Sequence, residues 1–525
     1  MKRLLYGLHP SLCRCFSHSP SPMSSPASSP AASYPASAAS SYYSSSPSSP
    51  HSSDAAPSSP SSPSSPLQRH ACSQHPSPGQ ATPAVNMNSA RNPEPLMASA
   101  LHKPGWRPTV KTAVANGAMN GHRSYFQEPD LWQQAPVLTG TTQFEPREGV
   151  RNIMITGGAG FIASWVVRHL TLTYPHAYNI VSFDKLDYCS ALNNTRALND
   201  KRNFTFYHGD LTNPSEVLDC MQRYHIDTVM HFAAQSHVDL SFGNSYSFTH
   251  ANVYGTHVLL ESAKKACVKR FIHVSTDEVY GEVGHGEDEL QETSILAPTN
   301  PYAASKAAAE MMVHSYHKSF KLPTIIVRSN NVYGPHQYPE KIIPKFICLL
   351  NRKRPVVLHG DGSPTRRYLF AADAADAFDT ILHKGQVGHV YNVGSTDEIS
   401  NLELCGKILS AMNITHDTPE QFRKWVKYTH DRPFNDCRYA VDGSKLRNLG
   451  WDQKTTFEEG LQMTVDWYRR FGEQWWGDIS HVLTPFPIVS EGEVVPDVEH
   501  FVKDDPPTPV EAYPTNGNGV SQKAS

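Results

Sequence analysis

From Ile153 onward the chain alternates short apolar runs with stretches of helical periodicity, and this alternation limits its fold more than any other feature. Ile153–Ile155, Asn179–Phe183, Phe204–Tyr207, Thr228–Phe232 and Phe271–Val274 read as strands, and Phe161–Leu172, Ser215–Tyr224 and Tyr254–Ala266 as intervening helices. The strands are apolar almost throughout, as expected when both faces are covered. Repeated β-α units of this kind predict an α/β fold, a Rossmann-type doubly wound parallel sheet with helices on both sides. After about Asn330 the pattern loosens and Pro335, Pro339, Pro344 and Pro355 interrupt it. A smaller mixed α/β lobe over 331–490, with possible returns to the sheet, is therefore expected beside the sheet domain of 150–330.

The flanks have a different composition. Of the 70 residues from Ser11 to Gln80, 27 are Ser, and Asp54 is the only acid before residue 90. Such a segment cannot bury enough apolar surface to offset its ordering entropy. Residues 1–145 are expected to be a disordered extension and linker, and 491–525 a disordered polar tail. The first residues carry Lys2, Arg3 and Arg14, but Pro10 interrupts any amphipathic helix there, so a plain tail is expected over a mitochondrial import segment. A cytoplasmic location follows as the expectation. No apolar run approaches the ~20 residues of a bilayer-spanning helix. A net charge of -3 argues against a nucleic-acid binder. Nine scattered Cys form no CxxC pair and no cluster with His at metal spacing, so no metal site is expected.

The first strand runs into Thr156-Gly-Gly-Ala-Gly-Phe-Ile-Ala163 and then a helix. Gly157 suits a tight turn, Gly160 allows close backbone approach to a pyrophosphate, and Ala163 is small enough for helix–strand packing. Phe161 and Ile162 begin the helix, whose N-terminal amides and dipole attract phosphate. Asp184, 21 residues beyond Ala163, ends the second strand. There it would accept hydrogen bonds from ribose hydroxyls and repel a 2′-phosphate, which favours NAD over NADP. Lys185 follows it. Asp210 and Leu211 follow the third strand and can flank an adenine, although Asn213-Pro214 nearby reads as an ordinary helix start. Phe232, Ala233, Ala234 and Ser236 follow the fourth strand, where open α/β sheets bind ligands.

Three features suggest a reacting centre. Thr276, Asp277 and Glu278 follow the fifth strand, and Tyr302 and Lys306 share one face of the next helix. A lysine ammonium favours phenolate, so Tyr302 beside Lys306 is a candidate base for a hydroxyl proton. Two adjacent carboxyls can divide acid and base roles if their environments separate their proton affinities. A solvated Tyr-Lys face and a Thr-Asp-Glu helix cap are the ordinary alternatives.

The motifs TGGAGFIA, SFDKLD, HFAAQSHVD, STDEVYG, PTNPYAASKAAAE, RSNNVYGPHQYPEKIIPKF, HGDGSPTRRYLF and DRPFNDCRYAVD, running from Thr156 to Asp442, resemble the extended short-chain dehydrogenase/reductase family, and within it the nucleotide-sugar 4,6-dehydratases. AAQS at Ala233–Ser236 and DRPFND at Asp431–Asp436 stand where thymidine-type dehydratases usually read AAES and DRPGHD. These variants look like the UDP-glucose 4,6-dehydratases of fungal and plant UDP-rhamnose pathways. The resemblance implies a bound NAD, held also by Tyr302, Lys306 and Asn331. It implies Tyr302 as base at the 4-hydroxyl, Asp277 as acid at O6, Glu278 as base at C5, and Thr276 and Ser236 on the sugar. It places Asn330, Lys341, Ile342, Val357, His359, Arg366, Asn392, Asp431 and Arg432 around the rest of a UDP-glucose or dTDP-glucose substrate. It also implies a homodimer formed through helices such as Tyr302–Phe320, where Met311, Met312 and Tyr316 are apolar. In plants the domain is fused to an epimerase/reductase. Here a polar tail follows instead, so a separate protein is expected to use the product. A dTDP-glucose dehydratase, a UDP-sugar 4-epimerase with no use for Asp277 and Glu278, and a non-catalytic NAD-holding protein remain as rivals.

Overall fold

A computed structural model describes residues 131–484, 487–490, 493–496 and 503–506. Most of the expected N-terminal extension, including the import-segment question, and much of the C-terminal tail lie outside the described residues. Seven strands form one parallel sheet: β1 (Asn152–Thr156), β2 (Asn179–Asp184), β3 (Phe204–His208), β4 (Thr228–His231), β5 (Arg270–Thr276), β6 (Thr324–Ser329) and, after an excursion, Val390–Val393. Their order is Val390–Val393, β6, β5, β4, β1, β2, β3. The chain thus reverses direction across the sheet between β1 and β4, leaving a crevice at the strands' carboxyl ends. The smaller lobe is built from short sheets that include β7 (Asn331–Tyr333), β8 (Val356–His359) and β9 (Thr365–Phe370). Val390–Val393 is the return to the main sheet that the sequence left open.

The two faces of the sheet carry separate cores, as the period of two along a strand requires. Ile153 and Ile155 pack with Val166, Leu170, Ala374 and Phe378 on one side, whereas Met154, Val181, Phe183, Val229 and Phe271 pack with Val217, Leu259 and Val313 on the other. The helices that matter below are α1 (Phe161–Thr173), α2 (Gly255–Lys265) and α3 (Pro301–Phe320). Helix α3 starts where Asn300 accepts the Ala303 amide and Pro301 occupies the first turn, a position where its missing N–H costs nothing. A six-residue π-helical segment, Thr249–Tyr254, precedes α2.

Parts of both flanks expected to be disordered are ordered among the described residues. Asp376 accepts the amides of Thr141 and Thr142 at 2.6 and 2.8 Å, and Tyr174 accepts the Phe144 amide at 2.9 Å, so residues 138–147 form a strap along α1. At the other end, Pro487–Ser490 and Glu493–Pro496 pair as a hairpin, and Lys503 exchanges both backbone hydrogen bonds with Tyr428. Backbone pairing and the distant carboxylate Asp376 hold these segments, and neither leaves a mark in local composition. No helix among the described residues is long and apolar enough to cross a membrane.

Candidate active site

A cavity of about 640 Å³ opens at the carboxyl ends of β1, β2, β4, β5 and β6. Its first wall is the glycine turn. Gly157 has φ +70°, and a Cβ there would lie 2.9 Å from the Ala233 Cα. At Gly160 a Cβ would meet the Gly157 carbonyl at 3.0 Å. The bare backbone so produced faces the N-terminus of α1, a cradle suited to an anion. Phe161 and Ile162 line it. Asp184 accepts the amides of Ala159 at 3.0 Å and Leu186 at 2.7 Å, so the turn and the second strand's end are locked together. Lys185, Asp210, Leu211, Phe232, Ala233, Ala234, Ser236 and Asn331 also line the cavity. Lys185 pairs with Asp187 at 2.9 Å, and Asp210 turns its carboxylate onto Thr212 while Asn213 caps the following helix.

Thr276, Glu278, Tyr302 and Lys306 line the same cavity, and Asp277 lies just behind them, 2% exposed. Asp277 accepts hydrogen bonds from Asn330 Nδ2 at 2.6 Å and from the Thr276 hydroxyl at 3.1 Å. Glu278 accepts one from Asn300 Nδ2 at 3.3 Å. Burial and the neighbouring Asp277 charge push Glu278 up to about 7, and burial raises Asp277 as well. Two acids with raised proton affinity beside a tyrosine can move protons near neutral pH.

The expected Tyr302–Lys306 couple is altered. The Lys306 ammonium donates to the Val274 carbonyl at 2.7 Å, and burial lowers it to about 8. The Tyr302 phenol is raised rather than lowered, first by burial and then by the Glu278 charge, with the Thr276 hydroxyl pulling the other way. Helical spacing put the two residues on one face, but it carried no information on the carbonyl that captures the lysine or on the carboxylates that face the tyrosine.

Of the residues expected around a substrate, Asn330, Lys341, Ile342, Val357, His359, Arg366 and Arg432 line the cavity. Lys341 donates to the Ser236 carbonyl at 2.6 Å, and Arg366 lies over the Tyr439 ring at 4.6 Å. Two expected residues do not line it. Asn392 is fully buried, accepts the Tyr280 hydroxyl at 2.8 Å and donates to the carbonyls of Leu290 and Asp442. It is a strut of the sheet edge. Asp431 accepts the Arg432 amide and Asn435 Nδ2, holding the loop that presents Arg432.

The structure adds residues that the sequence reading missed. His237, Asp239 and Lys345 line the cavity, with Asp239 paired to Arg432 at 2.6 Å. Burial opposes ionisation of Asp239, but Arg432 outweighs it and holds the carboxyl well below its usual range. Asn252, in the π segment, accepts the Gln235 amide and donates to the Ser305 hydroxyl at 2.8 Å, tying the loop after β4 to α3. A π turn within a helical run at a functional site is the structural signal for it.

The GDP-mannose 4,6 dehydratase family model matches residues 154–464, a span that holds every cavity residue named above. A trifunctional UDP-glucose 4,6-dehydratase/UDP-4-keto-6-deoxy-D-glucose 3,5-epimerase/UDP-4-keto-L-rhamnose reductase of Arabidopsis thaliana is 51% identical over 341 residues, 64% of this chain and 50% of that protein. The chain thus spans about half the length of this group of relatives. The dTDP-D-glucose 4,6-dehydratase of Homo sapiens is 46% identical over 338 residues, 64% of this chain and 95% of the human one. Among solved structures, a dTDP-glucose 4,6-dehydratase of Streptomyces venezuelae with NAD bound aligns at TM-score 0.58 and 36% identity, covering 62% of this chain and 99% of that one. With more than half of its length matched, and with the glycine turn, the paired carboxyls and the tyrosine gathered on one cavity, the chain belongs to the GDP-mannose 4,6-dehydratase family.

Proposed function

We propose that the chain dehydrates UDP-glucose to UDP-4-keto-6-deoxyglucose using NAD. The observation that carries this reading is the pair of buried carboxyls with raised proton affinity, Glu278 on the cavity that Tyr302 and the glycine turn also face and Asp277 directly behind it. The bare backbone at Gly157 and Gly160 and the acceptor Asp184 fit a dinucleotide, with Phe232–Ala234, Lys306 and Asn331 completing its walls. When bound, NAD supplies the hydride acceptor for C4 oxidation and the hydride donor to C6.

The chain's own residues handle the protons. Burial and the Glu278 charge hold the proton on the Tyr302 phenol, so Tyr302 must first give it up before its oxygen can take the proton of the 4-hydroxyl; the Lys306 ammonium, on the same helix face, is the positive charge that favours the phenolate. A C4 ketone makes the C5 proton acidic, and Glu278, half ionised near pH 7, accepts it. Asp277, whose proton affinity burial raises, gives a proton to the departing O6 so that water leaves. Arg366, Lys341 and Arg432 supply positive charge for the diphosphate. His359 and Val357 on β8 face the nucleoside side of the cavity in this reading.

Identity to relatives named for UDP-glucose, together with the AAQS and DRPFND variants, favours UDP over dTDP. The human dTDP-glucose relative, matched over 95% of its length, keeps dTDP-glucose as the second reading. A homodimer through α2 and α3 is part of the proposal. Met311 at 52% exposure and Phe320 fit it, whereas Tyr316 is buried and Met312 packs partly into the core. A separate epimerase/reductase is proposed to consume the keto sugar.

The test is product NMR on the full chain incubated with UDP-glucose and, separately, dTDP-glucose. A C6 methyl doublet beside a C4 ketone, chiefly from UDP-glucose, is expected. The same signal only from dTDP-glucose would overturn the base preference. UDP-galactose without a methyl would overturn the roles of Asp277 and Glu278.

A further inference from the structure

Arg168 is an unusual charge in this fold. It lies on α1, seven residues after the helix begins at the glycine turn, and is 2% exposed. Burial lowers its guanidinium to about 9, and no acidic neighbour among the described residues offsets that. Buried arginines normally have a carboxylate partner. The partners here are neutral. Nε donates to the Leu138 carbonyl of the N-terminal strap at 2.8 Å. Nη1 donates to the Asn194 carbonyl at 2.5 Å and the Ser164 hydroxyl at 3.2 Å, while Nη2 faces His336 Nδ1 at 3.1 Å.

Asn194 carries the contact onward. Its side-chain amide donates to the Ala159 carbonyl at 2.9 Å, and the Ala191 amide donates to that same carbonyl at 3.1 Å. Ala159 is the middle of the glycine turn, and its own amide is held by Asp184 at 3.0 Å. Trp475 Nε1 fixes the other end of the Asn194 amide at 2.7 Å. Helical side chains lean toward the N-terminus, and the Ser164 contact shows this one doing so. The positive charge therefore sits on the order of 10 Å behind the turn at most.

We infer that Arg168 is a positioning residue for the dinucleotide diphosphate: its uncompensated charge backs the glycine turn, and its guanidinium ties that turn, through Asn194, to the strap at Leu138. The inference rests on the NAD reading of the cavity. The diphosphate is the missing countercharge, and it lies at the end of α1 where the helix dipole also favours an anion.

The test uses the full chain stripped of nucleotide, with ADP-ribose and adenosine as probes in calorimetric or competition titrations. Arg168→Met removes the charge at similar length, and Arg168→Lys keeps the charge but loses the planar fork. One charge at ~10 Å with an effective dielectric of ~20 corresponds to roughly a tenfold change in affinity. Arg168→Met should weaken ADP-ribose by about that factor and adenosine by less than about twofold, and Arg168→Lys should recover most of the ADP-ribose affinity. If the Met variant does not fold by circular dichroism, Arg168→Gln makes the same comparison. Equal losses for both probes, no loss, or no recovery with Lys would overturn the inference. A wild-type chain that binds neither probe would overturn the NAD reading itself, and the inference with it.

Discussion

Glu278→Gln should stabilise the folded chain at alkaline pH while abolishing dehydration. Glu278 has an ordinary proton affinity near 4.5 when unfolded and about 7 when folded, because burial and Asp277 both disfavour its charge. Between those two pH values the folded state binds more protons than the unfolded one, so stability falls as pH rises. The gap of about 2.5 units corresponds to about 3 kcal/mol lost between roughly pH 4.5 and 7. Glutamine keeps the shape and the acceptor for Asn300 Nδ2 but has no charge to bury. Urea unfolding of wild type and variant should agree within ~1 kcal/mol at pH 4.5 and differ by about 3 kcal/mol in the variant's favour at pH 8. Asp277 adds to the same trend, since removing the Glu278 charge also eases its ionisation. A variant no more stable than wild type at pH 8, relative to pH 4.5, would refute the claim that burial and Asp277 raise the proton affinity of Glu278.

Other outcomes follow from the same coordinates. Tyr302→Phe should lower turnover by roughly 10²–10⁴-fold with substrate affinity retained, read by methyl NMR and equilibrium titration. Gly157→Ala should reduce nucleotide content measured after acid release, since its φ of +70° and the 2.9 Å approach to Ala233 leave no room for a Cβ. Glu310→Leu strands the buried Arg328, whose guanidinium it holds at 2.7 Å, and should cost about 3–5 kcal/mol in urea unfolding. Pairing it with Arg328→Met should recover much of that loss. Asp376→Ala releases the Thr141 and Thr142 amides, so trypsin should cut after Arg147 sooner while the sheet domain stays intact.

Much of the fold was legible along the chain. Five strands could be read within a residue or two because parallel strands buried on both faces leave continuous apolar runs, as in Phe271–Val274 within β5. The glycine turn was legible because its chemistry is local: Gly157 needs a positive φ, and Gly160 a bare backbone. The partners of Asn392 were not legible for the opposite reason. Nothing next to it in sequence shows that Tyr280, more than a hundred residues earlier, donates to it. The strap at 138–147 was hidden because its anchors lie elsewhere in the chain: Asp376 on a helix more than two hundred residues later and Tyr174 just past the end of α1.

The sequence by itself determined the strand order of burial, the turn that can cradle a diphosphate and the chemical types at the reacting centre. The tertiary structure alone decided what those groups do with protons. Glu278 rises to about 7, Lys306 falls to about 8 and Tyr302 resists ionisation. Proton affinity depends on how much water is removed and which charges come near through space, and both are set only when β5, α3 and the small lobe close on one cavity.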